Sequence, residues 1–249
     1  GKTPMSIEIF SILKQLNMNP VFIRKEYDNF QDEFKLQSQT GPVFQNKKRV
    51  KAIENAINNK ANVVVLDDGF QDFSVKKNFS IICFNEKQLI GNGFTIPSGP
   101  LREGLSSIKR ANCVIINGEK NNNFENIILK ENKNIKIFYI KYNLKNINEF
   151  KNKKVVAFAG IGNPENFFNL LESYKINVIK KLKFSDHHNY TDDEMKMLNN
   201  HIKDSDSILL TTEKDCLRIK NEYKKNINFV KVEVEIKNKN KFIEEIKKI

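Results

Sequence analysis

Two adjacent carboxylates, Asp67 and Asp68, close the apolar run NVVVL, and no other residues in the chain are better placed for chemistry. A β-branched run of this kind reads as a buried parallel strand, and such strands deliver side chains to the carboxyl edge of an open α/β sheet, where ligands bind. Carboxylate oxygens there suit Mg²⁺, a hard cation that keeps water and phosphate oxygens as its remaining ligands. Gln71 follows closely enough to orient a substrate or a water molecule. The competing reading is an Asp-Gly turn with both carboxylates in solvent.

The chain opens on Gly1-Lys2-Thr3, the closing residues of a Walker A loop, G-x-x-x-x-G-K-[ST]. In such a loop the lysine ammonium meets the β- and γ-phosphates and the threonine hydroxyl meets Mg²⁺, while backbone N–H groups at the helix start complete the cradle. No strand and no earlier glycines precede Gly1, and the first residue is not Met, so the sequence reads as a fragment that begins inside its own phosphate loop. Thr3 as N-cap with Pro4 at the first helical position describes an ordinary helix start equally well, and the two readings are compatible.

Three further segments carry candidate groups. GNGFTIPSGPLRE, residues 91–103, has the glycines and prolines of a shaped loop. Its exit offers Arg102 for bidentate phosphate binding and Glu103 for a Mg²⁺ shell, or else an exposed ion pair. FSDHHNYTDDE, residues 184–194, holds two of the three histidines, and without accompanying cysteines it reads as a general base or its orienting partner rather than a zinc site. Asp186 or Thr191 as a helix cap explains the next helix but not the histidine pair. Lys214 and Asp215 read as structural. GIGNP at 160–164 lacks a third glycine and a ribose-binding acid, so it reads as a strand-to-helix turn capped by Asn163, not as a dinucleotide site.

The elements that must position these groups alternate. A helix near 4–17 leads to a strand at PVFIR, a helix around QNKKRVKAIENAINN and the strand ANVVVLD. The strand NFSIICF, the loop at 91–100, a helix around LSSIKRA and the strand NCVIIN follow. This is the βαβ rhythm of a doubly wound sheet. From Lys120 to Lys154 the composition turns to Asn and Lys around one strand, IKIFYIKYNL, which places a P-loop kinase-like domain at 1–148 and a smaller α/β domain at 149–249. The second domain runs from KVVAFAGIGNP through the helices ENFFNLLESY, DDEMKMLNNHI and KDCLRIKNEY to the strand INFVKVEVEI and a final basic helix.

Composition bounds the rest. The chain has 249 residues, 39% of them hydrophobic, enough for real cores. The balance of 42 basic against 30 acidic residues, a formal charge of +12, favours an anionic partner, although a proteome-wide Lys, Asn and Ile bias also accounts for it. Cys83, Cys113 and Cys216 lack paired spacing and read as reduced structural thiols. No apolar run is long enough to span a bilayer.

Taken in order, GKTP, VVVLDDGFQ, GNGFTIPSGPLRE, the A-G-I-x-N-P turn, FSDHHNY and TTEKD resemble the tetraacyldisaccharide 4′-kinase family of lipid A biosynthesis over nearly the whole chain. The resemblance implies transfer of the γ-phosphoryl group of ATP, with Mg²⁺, to the 4′-hydroxyl of a tetraacylated glucosamine disaccharide 1-phosphate, giving lipid IVA. It implies work at the cytoplasmic face of the bacterial inner membrane, with the lipid A disaccharide precursor and the membrane surface as partners and neither nucleic acid nor an obligate protein partner. Carried over, it assigns ATP binding to Gly1, Lys2, Thr3, Gln71 and Arg102. It assigns Mg²⁺ to Thr3, Asp67, Asp68 and Glu103, and catalysis to Asp32, His187 and Asp68.

Two departures stand out: Asp72 replaces the family's usual histidine after Gln71, and QDEF around Asp32 replaces G-D-E-P. The boundary at 148 puts Asp32 and His187 in different domains, so that to act together they would have to meet across the interdomain cleft. The alternatives are a P-loop kinase for another small acceptor and, on charge alone, a nucleic-acid-binding protein.

Overall fold

The computed structural model describes residues 2–26, 32–203 and 206–249. The chain divides into two compact units, Gly1–Lys25 with Phe44–Asn143 and Val234–Ile249, and Glu26–Val43 with Leu144–Glu233.

In the first unit, α1 (Lys2–Gln15) buries Met5, Phe10, Ile12 and Leu13, and Phe10 stacks on Phe22 of β1 (Pro20–Lys25) with ring centroids 4.5 Å apart. β1 lies between β2 (Val43–Asn46) and β3 (Val63–Leu66), which is why five of its six residues are buried. It runs parallel to β3, pairing Ile23 with Leu66, so Arg24 reaches the same edge as Asp67. The helix α3 (Arg49–Asn58) seals one face with Ala52 and Ala56, and Arg49 at its first position is itself buried. A second sheet has the order β11-β6-β5-β4, with β4 at Ile81–Asn85, β5 at Cys113–Asn117, β6 at Lys136–Leu144 and β11 at Val232–Ile236. The ladders β4–β5 and β5–β6 are parallel. α4 (Asn122–Glu131) covers this sheet with Phe124 and Ile128, and α8 (Lys239–Ile246) brings Phe242 edge-on to Phe138.

In the second unit a four-stranded sheet has the order β10-β9-β7-β8, with β7 at Lys154–Ala159, β8 at Asn177–Lys183, β9 at Ile208–Thr212 and β10 at Ile227–Val230. Its ladders are all parallel. β7 is central and buried at five of six positions. α5 (Pro164–Ser173) packs Phe168 and Leu171 against it, α6 (Asp192–Lys203) contributes Met195 and Leu198, and α7 (Glu213–Arg218) follows β9 directly. The seven-residue α2 (Asp32–Ser38) packs on α7.

The α/β class holds, with several differences of detail. The strands expected in one doubly wound sheet of the first unit lie in two. Residues 43–46 form a strand, and the following helix starts only at Arg49. The helix expected at 105–111 is a 3-10 turn over Leu105–Arg110. The strand expected over INFVKVEVEI breaks at Lys231, whose N–H is held by Asn146 Oδ1 at 2.9 Å, so that β10 and β11 enter different sheets. A single cut at residue 148 therefore does not describe the division, because residues 26–43 belong with the second unit and 234–249 with the first.

Candidate active site

In the first unit the chain leaves β3 at Leu66 and turns sharply. Asp67 is buried and its Oδ2 accepts from Arg24 Nη1 at 3.0 Å. Asp68, at φ 55°, points away from it and collects two cations. Lys2 Nζ lies 2.6 Å from its Oδ1, and Arg102 Nη1 lies 2.7 and 2.8 Å from its two oxygens. Arg49 braces the turn from beneath, donating to the carbonyls of Asp67 and Asp68 at 3.3 and 3.1 Å and to Asp72 at 2.9 Å. The structure thus joins Lys2, Asp68 and Arg102, residues 66 and 34 positions apart, in one cluster.

The other assigned residues sit nearby in the same unit. Thr3 is buried in the first turn of α1, and its carbonyl accepts from Ser6 Oγ at 2.8 Å. Gln71 is exposed on the turn after Asp68. Glu103 pairs with Arg110 at 2.6 Å through Oε2, while its Oε1 is buried with no hydrogen-bond donor among the described residues. Gly1 lies outside the described residues.

For Mg²⁺, no three His, Cys, Asp or Glu side chains among the described residues group closely enough to hold a metal by themselves. The oxygen donors fit the cation in its usual partial form, one or two carboxylates with phosphates and water completing the shell. Among the described residues, Glu103 Oε1 is a buried carboxylate oxygen without a hydrogen-bond donor, whereas Asp67 pairs with Arg24 and Asp68 with Lys2 and Arg102.

Electrostatics keep the turn ionised. Burial pushes the Asp68 carboxyl up, but hydrogen bonds from Arg102 and Lys2 outweigh it and hold the group below the usual carboxylate range. Hydrogen bonds from Ser74 and then Arg49 bring Asp72 down to about 2. Because both are depressed by folding, their stabilising contribution is complete above the unfolded value and is lost as pH falls through the folded one. A carboxyl-carbon NMR titration should therefore place Asp72 near about 2 and Asp68 below 3.8. Ordinary values for both would mean the ion pairs do not persist in solution.

In the second unit the DHH segment wraps over the turn after β7. His187 N donates to Gly160 O at 3.1 Å and to Asp186 Oδ1 at 3.0 Å, which sets the residue at φ 55°. A Cβ on Gly160 would stand 2.9 Å from His188 Cβ and 3.0 Å from Ser185 O, so only glycine allows this approach. The ring of His187 lies with Nδ1 3.3 Å from Asp32 Oδ2, at the start of α2. Asp32 is 2% exposed, and among the described residues neither of its oxygens accepts a hydrogen bond. Arg218 Nε stands 3.7 Å from the same oxygen. Asp32 and His187 thus meet inside one unit, not across a cleft between two, because α2 crosses over to pack on α7.

The second histidine is differently employed. His188 is gripped by Glu194 at 2.9 Å and packs between Phe184 and Tyr190 with centroids 4.9 and 5.0 Å away. Glu194 and Thr191 exchange hydrogen bonds at the start of α6, a capping box.

Arg218 and Asp215 are the residues that reading the sequence undervalued. Asp215, fully buried, accepts from Gly160 N at 3.0 Å, Tyr190 Oη at 2.8 Å, Thr212 Oγ1 at 2.6 Å and Arg218 Nη2 at 2.7 Å. Arg218 also donates to Gly160 O at 2.9 Å and His188 O at 3.3 Å, locking the turn that carries His187. The i, i+3 spacing of an acid and an arginine in TEKDCLR was the available signal. Replacing Arg218 by Ala would leave Asp32 and Asp215 as buried charges without their cation, and should destabilise the protein by about 3–5 kcal/mol in urea unfolding. A loss under about 1 kcal/mol would show that these carboxylates are neutral or hydrated.

Comparison with known proteins places the chain in a family. The chain is 39% identical to the tetraacyldisaccharide 4′-kinase of Pelagibacter ubique (strain HTCC1062), covering 95% of this chain and 76% of that protein. It is 31% identical to that of Rickettsia akari (strain Hartford), covering 96% and 77%. Its fold matches the crystal structure of the "apo" form of LpxK from Aquifex aeolicus in complex with ATP, with a TM-score of 0.71 at 23% identity over 99% of this chain and 83% of that one. Residues 27–249, which include the Asp68, Asp32 and His187 sites, match the family described as tetraacyldisaccharide-1-P 4′-kinase, and the chain belongs to that family.

Proposed function

We propose that the protein transfers the γ-phosphoryl group of ATP to the 4′-hydroxyl of tetraacyldisaccharide 1-phosphate, forming lipid IVA at the cytoplasmic face of the bacterial inner membrane. The observation that carries the chemistry is Asp32, a buried carboxylate with both oxygens lacking hydrogen bonds and an imidazole at 3.3 Å. A native fold seldom leaves such a group unsatisfied without a use for it, and an acceptor for a substrate proton is that use.

ATP supplies the phosphoryl group, and Asp68 and Glu103 would hold Mg²⁺, which would neutralise phosphate charge. Lys2 and Arg102, which share Asp68, would supply their cations to the phosphate oxygens. A phosphate of higher charge would compete for these cations and would leave the Asp68 carboxylate to the metal. Asp32 takes the proton of the attacking hydroxyl as the new P–O bond forms and the bond to the leaving diphosphate breaks. His187 orients that carboxylate and shares its proton. Arg218 holds both in register from behind.

A peripheral bilayer contact suits a substrate whose acyl chains remain in lipid, and the +12 charge favours anionic headgroups. Among the described residues no helix is long and apolar enough to cross a membrane. The test is turnover: protein made from the whole open reading frame, given γ-labelled ATP, Mg²⁺ and the disaccharide 1-phosphate in detergent micelles, should move the label into the lipid. Label appearing only as free phosphate would refute the proposed acceptor.

A further inference from the structure

We infer that the loop at residues 91–98 is a preformed apolar wedge that seats Phe94 and Ile96 in the headgroup region of a phospholipid bilayer, an inference that rests on the membrane-surface reading above. All eight residues are exposed. Phe94 and Ile96 are 63% and 64% exposed, and Phe73, in the same unit, is 73% exposed. Apolar side chains this exposed ordinarily fold back onto the protein, because leaving them in water is unfavourable.

The loop does not permit that retreat. Ile96 N donates to Leu101 O at 2.8 Å, Leu101 N to Phe94 O at 3.2 Å and Gly99 N to Thr95 O at 3.0 Å. Asn92 bridges the neck, donating to Ser98 O at 2.8 Å and accepting from Phe94 N at 3.2 Å. Gly99 lies so tightly against this ring that a Cβ would stand 2.3 Å from Phe94 O. The backbone therefore holds the two apolar side chains outward.

The flanking sequence has the charge balance that an anionic lipid interface favours. Residues 69–110 carry six Lys and Arg against three Asp and Glu. The three acids are already engaged: Asp72 by Arg49, Glu103 by Arg110, and Glu86 by the N–H of Glu119. At the exit of the loop Arg110 stacks over Phe70 and Phe73 at 4.8 and 5.1 Å, with Lys77 5.8 Å from Phe73. Aromatic bodies tipped with cations favour the boundary between headgroups and acyl chains.

The chain contains no Trp, so a single introduced indole reports its own surroundings. Phe94→Trp should blue-shift on adding vesicles of phosphatidylethanolamine and phosphatidylglycerol, and brominated lipid should quench it. Ile57→Trp, at a position 61% exposed on α3, should do neither. The double variant Phe94→Ser, Ile96→Ser should sediment with these vesicles about tenfold or more weakly while keeping its circular dichroism. If protein sediments normally but neither the probe nor the double variant responds, the wedge is refuted and the membrane reading stands. A Phe94→Trp response only when the acylated substrate is present would overturn the bilayer as occupant in favour of substrate chains. Failure of the parent chain to bind vesicles would overturn wedge and membrane contact together, leaving the kinase reading to the detergent assay.

Discussion

Replacing Asp32 by Asn should lower kcat by about 10²- to 10⁴-fold, the range that general-base catalysis contributes, with little change in KM for either substrate. His187→Ala should have a loss of similar order. If the two side chains, 3.3 Å apart inside one unit, act on the same proton as proposed, the double variant should be little worse than the poorer single one. Both variants should unfold near the parent midpoint, because Arg218 and Asp215 remain paired beneath them. Multiplying losses would show that the residues act in separate steps, and would reopen the alignment of QDEF with the family's G-D-E-P segment.

The second large effect is expected at Lys2. In the proposed mechanism its ammonium meets charge that develops on the transferred phosphoryl group, and removing it should cost about 10²- to 10³-fold in kcat. Arg102→Ala should act in the same sense but also weaken ATP binding, since a guanidinium grips phosphate in the ground state as well. In neither variant should the Asp32 and His187 pair change, because it belongs to the other unit. Full activity in Lys2→Ala would remove the N-terminal residues from the phosphate site.

Much of this was legible in the residues because it is written locally. VVVL followed by two acids is a period and a terminus, and the strand, its parallel pairing and its carboxylates all follow. The Asn163-Pro164 helix start and the Thr191 cap were equally readable, since capping depends on neighbours alone.

What escaped was of two kinds. The helix α4 was hidden by composition: its asparagines and lysines registered only as a shift in composition, although Phe124, Ile127 and Ile128 stand at helical spacing behind the Asn121 cap. The excursions of 26–43 and 234–249 into the opposite unit, and the break at Lys231, depend on contacts far apart in sequence that no local pattern encodes. For the same reason the Asp32 and His187 pairing came from family resemblance, and its place inside one unit from the fold. Arg218 shows the middle case, a visible i, i+3 pair with Asp215 whose importance rests on what it touches across 58 positions.

The most direct test of the central claim is the position of the phosphate on the product. Phosphorus–proton correlation NMR on lipid formed from MgATP and tetraacyldisaccharide 1-phosphate should show a second phosphorus coupled to H4′ of the distal glucosamine, beside the original one at C1. A product phosphorylated at another hydroxyl, or ATP turnover with no second lipid phosphorus, would contradict the assignment.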